Sequence, residues 1–444
     1  MGILAHKRWQ IVPPAPPAYF ELLPSVHPLV AQVLYNRGII EPDAVDAFLN
    51  CATTFDNPFN MKGVDVAVTL LRLAVGRGEP IVVYGDYDVD GVTACAVLVQ
   101  TLRALGAQVT AYIPKRDDEG YGLNTEAIAS LAEEGVRVLV TVDCGIRSLE
   151  EVALARRLGM TVIITDHHHV ADALPQADAV INPKQAGCPY PFKDLAGVGV
   201  AFKLAQALLR SNNQVPLPTT QIEADEAELL DLVALGTVAD MVPLLGENHS
   251  LVARGLVNIN QAHRPGLSAL MDVAHVHPGQ ISTNTIGFSL APRLNAAGRI
   301  SEATTALELL LAPDMTLAIP LAQELDALNE ERRTLTLDVQ ERARMLILDS
   351  DEAPPEEVPP LLFAASPDFP HGVVGLAASR LLDEFYRPAI VVSIEGDLSK
   401  GSARSIAEFH ITQALDTMSE LLTVSYTHLR AHETVLDLVC RLLL

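Results

Sequence analysis

Cysteine is scarce in this chain, and so is positive charge. The five cysteines, Cys51, Cys95, Cys144, Cys188 and Cys440, are scattered, odd in number and form no CxxC pair. That spacing argues against a disulfide framework or a zinc knuckle and fits a reduced, cytoplasmic compartment. No apolar run approaches the length that spans a bilayer, so no membrane association is expected. The opening MGILAHKRWQIVPPAPP has no long apolar stretch, and no secretory leader is expected there. Lysine and arginine total 31 against 55 acidic residues, a formal charge of −24. Taken alone, that deficit opposes a nucleic-acid binder, because phosphate contacts favour basic surfaces. Net charge is a global sum, however, and a local basic channel can exist within an acidic protein. Internal repeats are absent.

What is present is enough apolar material for two or three domains: 444 residues, 49% hydrophobic. Residues 1–60 are Pro-rich and then helical in pattern. From residue 80 to 245, short β-branched runs (IVVYGDYD, QVTAYIPK, VRVLVTVDCG, MTVIITDHHH) alternate with amphipathic helical patterns such as TEAIASLAEEG. Buried parallel strands with crossover helices read this way. The predicted fold is therefore α/β, a doubly wound, mostly parallel sheet over residues 61–312. A helical stretch follows at 313–352, with Leu321, Leu325, Leu328, Leu335 and Val339 on one stripe among charges. It is expected to be a connector helix. Beyond the Pro/Glu run APPEEVPP (353–360), residues 353–423 begin a second, partial α/β domain. Residues 424–444 (VSYTHLRAHETVLDLVCRLLL) do not continue that pattern. They resemble an artefact found at the ends of assembled reading frames and are expected to be non-native.

The stretch IVVYGDYDVDGVTA ends an apolar run with Asp86, Asp88 and Asp90, spaced two apart and closed by Gly91. Carboxylates this close repel one another unless a cation or many donors lie among them. An EF-hand loop fits poorly, since its twelfth position is Val97 rather than a bidentate Glu and its flank reads as a strand. A dinucleotide loop fails because Gly85 and Gly91 do not make GxGxxG. A solvated acidic turn remains the bland reading of this motif in isolation. Repetition decides against it. VLVTVDCG ends with Asp143, VIITDHHH with Asp166, His167, His168 and His169, and LVALGTVADMVPL carries Asp240. In an open α/β sheet such ends converge on one crevice. A carboxylate-rich crevice with imidazoles calls for divalent cations, and this donor set suits Mn²⁺ or Mg²⁺ better than zinc. Two such ions would clamp a phosphodiester and supply hydroxide, which points to phosphoryl ester hydrolysis.

GDYDVDG, TVDCG, TDHHH and the ADMVPL aspartate, in that order, resemble the motifs of the DHH phosphoesterase superfamily. APRLNAAGR (291–299), HGVVG (371–375) and GSARS (401–405) are similar to its RecJ-type branch, the single-strand-specific exonucleases. The resemblance covers roughly residues 60–415. It implies a DHH catalytic domain, a DHH-associated second domain and metal ligation by Asp88, Asp90, Asp143, His167 and Asp240. Asp86 then stands behind the ligands or binds from outside. The resemblance sets His168 at the scissile phosphate, as a ligand or a transition-state donor; the plainer reading is a hydrogen bond to the sheet edge. Asp166 is expected to orient a histidine rather than bind metal, and His169 to be an ordinary surface residue. Arg293, Arg299, Arg380, Ser402 and Arg404 match positions along the nucleic-acid path, where the guanidinium fork suits phosphate. The alternative for each arginine is an ion pair. His371 either contacts a terminal phosphate or caps a helix, and Asn295 supports the loop.

The family's GGH segment and oligonucleotide-binding barrel have no match here, so the chain is expected to be a shortened version with weaker DNA binding and reduced solubility. The implied activity is metal-dependent 5′→3′ exonuclease action on single-stranded DNA in repair and recombination, using two Mn²⁺ or Mg²⁺ ions. The implied partners are single-stranded DNA, a single-strand-binding protein and a helicase, with the chain acting as a monomer. Two alternatives stay open: a phosphodiesterase on short oligonucleotides or cyclic dinucleotides, and an inactive DNA-binding replication scaffold.

Overall fold

The structure, a computed structural model, describes residues 11–50, 55–116, 122–171, 173–220, 225–348, 358–396, 398–417, 422–430 and 433–441. The β-branched runs form β1 (Ile81–Gly85), β2 (Val109–Tyr112), β3 (Val138–Val142), β4 (Thr161–Thr165) and β5 (Ala179–Ile181). They make a parallel sheet in the order β2-β1-β3-β4-β5, with Ile81 opposite both Val109 and Val138. Every residue of β1 and β3 is buried, which is why these strands read as unbroken apolar runs.

Alternate residues of these strands serve opposite layers. Val83 and Val140 pack with the helices Val64–Arg77, Val89–Ala104, Gly197–Gln214 and Leu230–Ala239. Val82, Tyr84 and Leu139 pack with Thr125–Glu133 and Leu149–Arg157. The chain leaves β1 toward β2 on one side and returns to β3 on the other. The carboxyl ends of β1 and β3 therefore flank the crevice where the winding reverses, the usual ligand position in such sheets.

The connector helix runs from Met315 to Leu348, 34 residues, or about 50 Å at 1.5 Å per residue. Its stripe serves two cores in turn. Ala318, Ala322 and Leu325 join the main core, with Leu321 and Leu328 packed at its margin. Val339, Ala343 and Ile347 join the second, with Leu335 at its margin. That second unit carries β6 (Leu362–Ser366), β7 (Ala389–Glu395), β8 (Leu398–Arg404), β9 (Leu422–Arg430) and β10 (Glu433–Arg441), in the order β6-β7-β8-β10-β9. Only β6 and β7 are parallel, joined by the crossover helix His371–Phe385. The backbone of residues 422–430 and 433–441, all but the first two of which belong to the segment set apart on sequence, thus extends this sheet. Their side chains, Cys51 and most of 353–360 lie outside the described residues.

Three short N-terminal helices, Pro17–Glu21, Pro28–Asn36 and Pro42–Leu49, each start with proline, whose missing N–H costs nothing at that position. They enclose a small core of their own around Tyr19, Ala31 and Leu34. Phe48 stacks on His249 with centroids 4.1 Å apart, joining this unit to the main domain. Among the described residues no helix is long and apolar enough to cross a membrane, and Cys95, Cys144 and Cys188 are free thiols.

Candidate metal centre

The first motif folds as a strand end running into a helix start. Asp86 follows β1 and accepts the Tyr87 N–H at 2.7 Å. Asp88 caps the Val89–Ala104 helix, its Oδ1 accepting from the N–H groups of Asp90 (2.9 Å) and Gly91 (3.1 Å). Asp90, in the first turn, is buried and turned toward a second helix start. There the N–H groups of Gly197 and Val198 donate to its two oxygens, each at 2.7 Å. A Cβ on Gly197 would lie 2.4 Å from Asp143 Oδ1, so only glycine lets that helix start come so close. Asn295 accepts the Val89 N–H at 3.1 Å and braces the loop from the APRLNAAGR helix, Ala291–Ile300.

The other strand ends meet this loop. Asp143 follows β3 with φ 59°, the left-handed region, which aspartate visits more readily than most residues. His167 Nε2 lies 3.2 Å from Asp143, 3.7 Å from Asp240 and 3.9 Å from Asp90. Among the described residues, three sets of side chains offer ligand atoms within 4.8 Å of one another: Asp86, Asp88 and Asp143; Asp90, His167 and Asp240; and Asp143, His167 and His168. Asp143 and His167 each belong to two of them. Asp86, expected to stand behind the ligands or to bind from outside, offers an oxygen to one of these sets.

Electrostatics sharpen the picture. Burial first, and then the neighbouring Asp88, push the Asp86 carboxyl up to about 8. Burial also lifts Asp90 and Asp143 well above the carboxylate range; Asp240 adds most after burial to the first, Asp90 to the second. Like charges held this close without water favour either protons or cations. Carboxylate oxygens with one or two imidazoles are the donors that Mn²⁺ and Mg²⁺ accept, so the residues fit a divalent pair.

Asp166 behaves differently and is in none of the three sets. Burial would raise its pKa, but the adjoining His168 outweighs that and holds the carboxyl well below its usual range. Its Oδ1 lies 2.7 Å from His168 Nδ1 and accepts the His168 N–H at 2.9 Å, while Oδ2 accepts from Ile146 at 3.0 Å. Burial pulls His168 down, and Asp166 more than compensates, leaving the imidazole raised. His169 is exposed.

The arginines divide into those that reach the connector helix and those between the two domains. Arg293 donates to Asp326 of that helix at 2.8 Å and to the Ser289 carbonyl at 2.7 Å. Arg380 reaches Gln340 of the same helix at 3.4 Å. Arg299 closes the Ala291–Ile300 helix and donates to the Gly372 carbonyl at 3.4 Å. A Cβ on Gly372 would sit 1.8 Å from the Arg299 carbonyl oxygen, so the second domain's His371–Phe385 helix lies hard against the end of the Ala291–Ile300 helix. His371 opens that helix; the cap itself is Pro370, without a side-chain bond, so His371 is not the capping residue. One turn further on, Arg404 donates to Ser402 (2.7 Å) and Ser379 (2.9 Å) beside Gly375.

Three elements escaped the sequence reading. Arg116, at the end of the IPKR run, lies over the Tyr87 ring at 5.1 Å and lowers the Asp86 pKa, one of several counterweights to burial. The Gly197 and Val198 amides hold Asp90, and the paired glycines of LAGVGVAFK were the available signal. Asn182 donates to the His168 carbonyl at 3.0 Å, and nothing in the isolated triplet NPK marked it.

Comparison with known proteins agrees with this geometry. Residues 80–237 match the DHH family, N-terminal domain. A single-stranded-DNA-specific exonuclease RecJ of Dickeya dadantii is 40% identical over 408 residues, 91% of this chain and 70% of the relative. The chain belongs to the RecJ family. The RecJ of Bacillus subtilis is 42% identical over 430 residues, and there the alignment takes in 95% of this chain but 52% of the relative, so the chain spans about half that length. Among solved structures, RecJ of Thermus thermophilus in complex with Mn²⁺ superposes with a TM-score of 0.80 at 31% identity, over 98% of this chain and 60% of the other. An exonuclease RecJ bound to manganese gives 0.69 at 35% identity, over 86% and 90%. The RecJ resemblance and the doubly wound fold read from the motifs are thereby established.

Proposed function

We propose that the chain hydrolyses phosphodiester bonds of single-stranded DNA from the 5′ end, in repair and recombination; its relatives are named as single-stranded-DNA-specific exonucleases. The observation that carries the reading is the sharing of Asp143 between two potential ligand sets at the crevice where the sheet reverses. Asp86, Asp88 and Asp143 would hold one divalent cation, and Asp90, His167 and Asp240 the other. This gives Asp86 a ligand's role. Mn²⁺ is the preferred ion, with Mg²⁺ as the alternative. Bound there, the pair would supply a water of lowered pKa and stabilise charge on the attacking and leaving oxygens.

The chain's own groups do the rest. His168, oriented by Asp166, which also favours its protonated form, stands ready to donate to a phosphate oxygen as negative charge builds there. Arg116, Arg299, His371, Ser402 and Arg404 surround the path with phosphate-binding donors, which reconciles the substrate with a net charge of −24. Arg293 and Arg380 would act from the side of the connector helix. We propose the division into an N-terminal helical segment (1–60), catalytic domain (61–312), connector (313–352) and associated domain (353–423), a monomer in the cytoplasm. A single-strand-binding protein and a helicase are the proposed partners.

Single-stranded DNA labelled at either the 5′ or the 3′ end, incubated with Mn²⁺ and the chain, tests the reading. Immediate release of mononucleotide from the 5′ label alone, lost in Asp143→Asn, is the expected result. Turnover confined to dinucleotides would replace the substrate by a smaller one, and no turnover of either would end the enzymatic reading for this chain.

A further inference from the structure

We propose that Phe288 is a stacking platform for a nucleobase, set along the strand's path from the metal centre; the inference rests on the nuclease reading above. Phe288 is 83% exposed, more than any other aromatic among the described residues. A lone exposed apolar side chain needs no explanation. The position of this one does. It lies in a π-turn, Ile286–Leu290, that runs directly into the Ala291–Ile300 helix. Such wide turns are rare and cluster at functional sites. The Ala291 N–H reaches back five residues to the Ile286 carbonyl. Pro292 follows at the start of the next helix, where a regular turn would clash with its ring.

The helix sorts its residues by face. Ile286, Leu290, Leu294 and Ala297 are buried in the main core. Phe288, Pro292, Asn295 and Arg299, spaced by four, three and four, are all outside it. Two members of that outer row have known neighbours. Asn295 touches the loop that carries Asp88 and Asp90, and Arg299 touches Gly372 of the second domain. Phe288 lies on that same row seven residues before Asn295, about 10 Å from it at 1.5 Å per residue. An exposed ring about 10 Å along this rail from Asn295, which braces the loop of Asp88 and Asp90, is placed to receive a base still attached to the strand being cut. Arg293 anchors the rail by its ion pair with Asp326 of the connector helix, so the ring's backbone is held in place. Stacking on an aromatic side chain tolerates any base, which suits an enzyme without sequence preference.

The test scans a single 2-aminopurine along a 12-nucleotide single strand, bound to the full chain in EDTA so that nothing is cut. Fluorescence should be quenched at one position a few nucleotides from the 5′ end. Phe288→Ala should abolish the quench there and weaken binding about tenfold or more, whereas Phe288→Tyr retains both. With Mn²⁺ present, Phe288→Ala should raise KM for the long strand and leave turnover of a dinucleotide unchanged. An unaltered quench and affinity in Phe288→Ala would overturn the proposal. Equal losses on the long strand and the dinucleotide would also overturn it, showing a structural role instead. Absence of any binding by the unsubstituted chain would overturn the nuclease reading, and this proposal with it.

Discussion

A carboxylate at the centre of other carboxylates is a liability until a cation arrives, and Asp143 shows this at the level of one residue. Burial raises its pKa, and Asp90, Asp88, Asp86 and Asp240 raise it further. Asp143→Asn keeps nearly the same shape and tolerates the left-handed backbone at φ 59°, where alanine would add about 1 kcal/mol of strain. In EDTA near neutral pH this variant should be more stable than the parent, because it removes a buried charge that Asp90, Asp88, Asp86 and Asp240 repel. In Mn²⁺ the order should reverse, since the substitution removes a ligand that belongs to two sets. Thermal unfolding of both proteins with and without Mn²⁺ measures this. A variant less stable in EDTA would mean that Asp143 is a structural acceptor. The left-handed backbone of Asp143 is not visible in TVDCG, whereas its crowding was expected once the strand ends were read as converging on one crevice.

At the scale of elements, the connector helix is the member that both domains share. Its leucine stripe is legible in the sequence, because a 3.6-residue period is local. The handover from one core to the other is not, because the stripe stays apolar while its partners change. Leu325 is buried in the main core, whereas Ile347 is buried in the second. Ile347→Ala should cost the second domain about 2–5 kcal/mol. Hydrogen exchange should quicken in β6 and the His371–Phe385 helix, while Mn²⁺ affinity measured by calorimetry stays unchanged. A parallel drop in Mn²⁺ affinity would show that the domains unfold as one unit. The ion pairs that this helix makes through Arg342 and Arg344 are largely exposed, so water and salt screen them and they add little.

For the whole molecule, the pH dependence of stability follows from the direction of the shifts at its centre. Asp86 holds its proton up to about 8 in the folded chain, against an ordinary 3.8. A group raised in this way contributes fully below its unfolded pKa and loses that contribution as pH climbs through the folded value. Asp90 and Asp143 shift in the same sense. Asp166 is lowered, so its contribution is present at neutral pH and disappears in strong acid. Without metal, Tm should therefore fall between about pH 5 and 8. The gain from added Mn²⁺ should grow over the same range, as protons cease to compete for the ligands. A flat profile in EDTA would show that the carboxylates are hydrated in solution.

The sequence by itself determined the strand runs, the helical stripes and the aspartates and histidines that close those strands, because periodicity and turn chemistry act between near neighbours. It also carried the family resemblance and a donor set of carboxylates and imidazoles, both of which follow from residue type and order. Tertiary structure alone decided which of those groups meet. Asp90 takes its two amide donors from residues 107 and 108 positions away, and the loop above it is braced by Asn295 across 206 positions. The arginines of APRLNAAGR look alike in the sequence, yet one pairs with Asp326 and the other faces the second domain. No local pattern encodes such choices, since a side chain's partner is set by what the rest of the chain packs against its face.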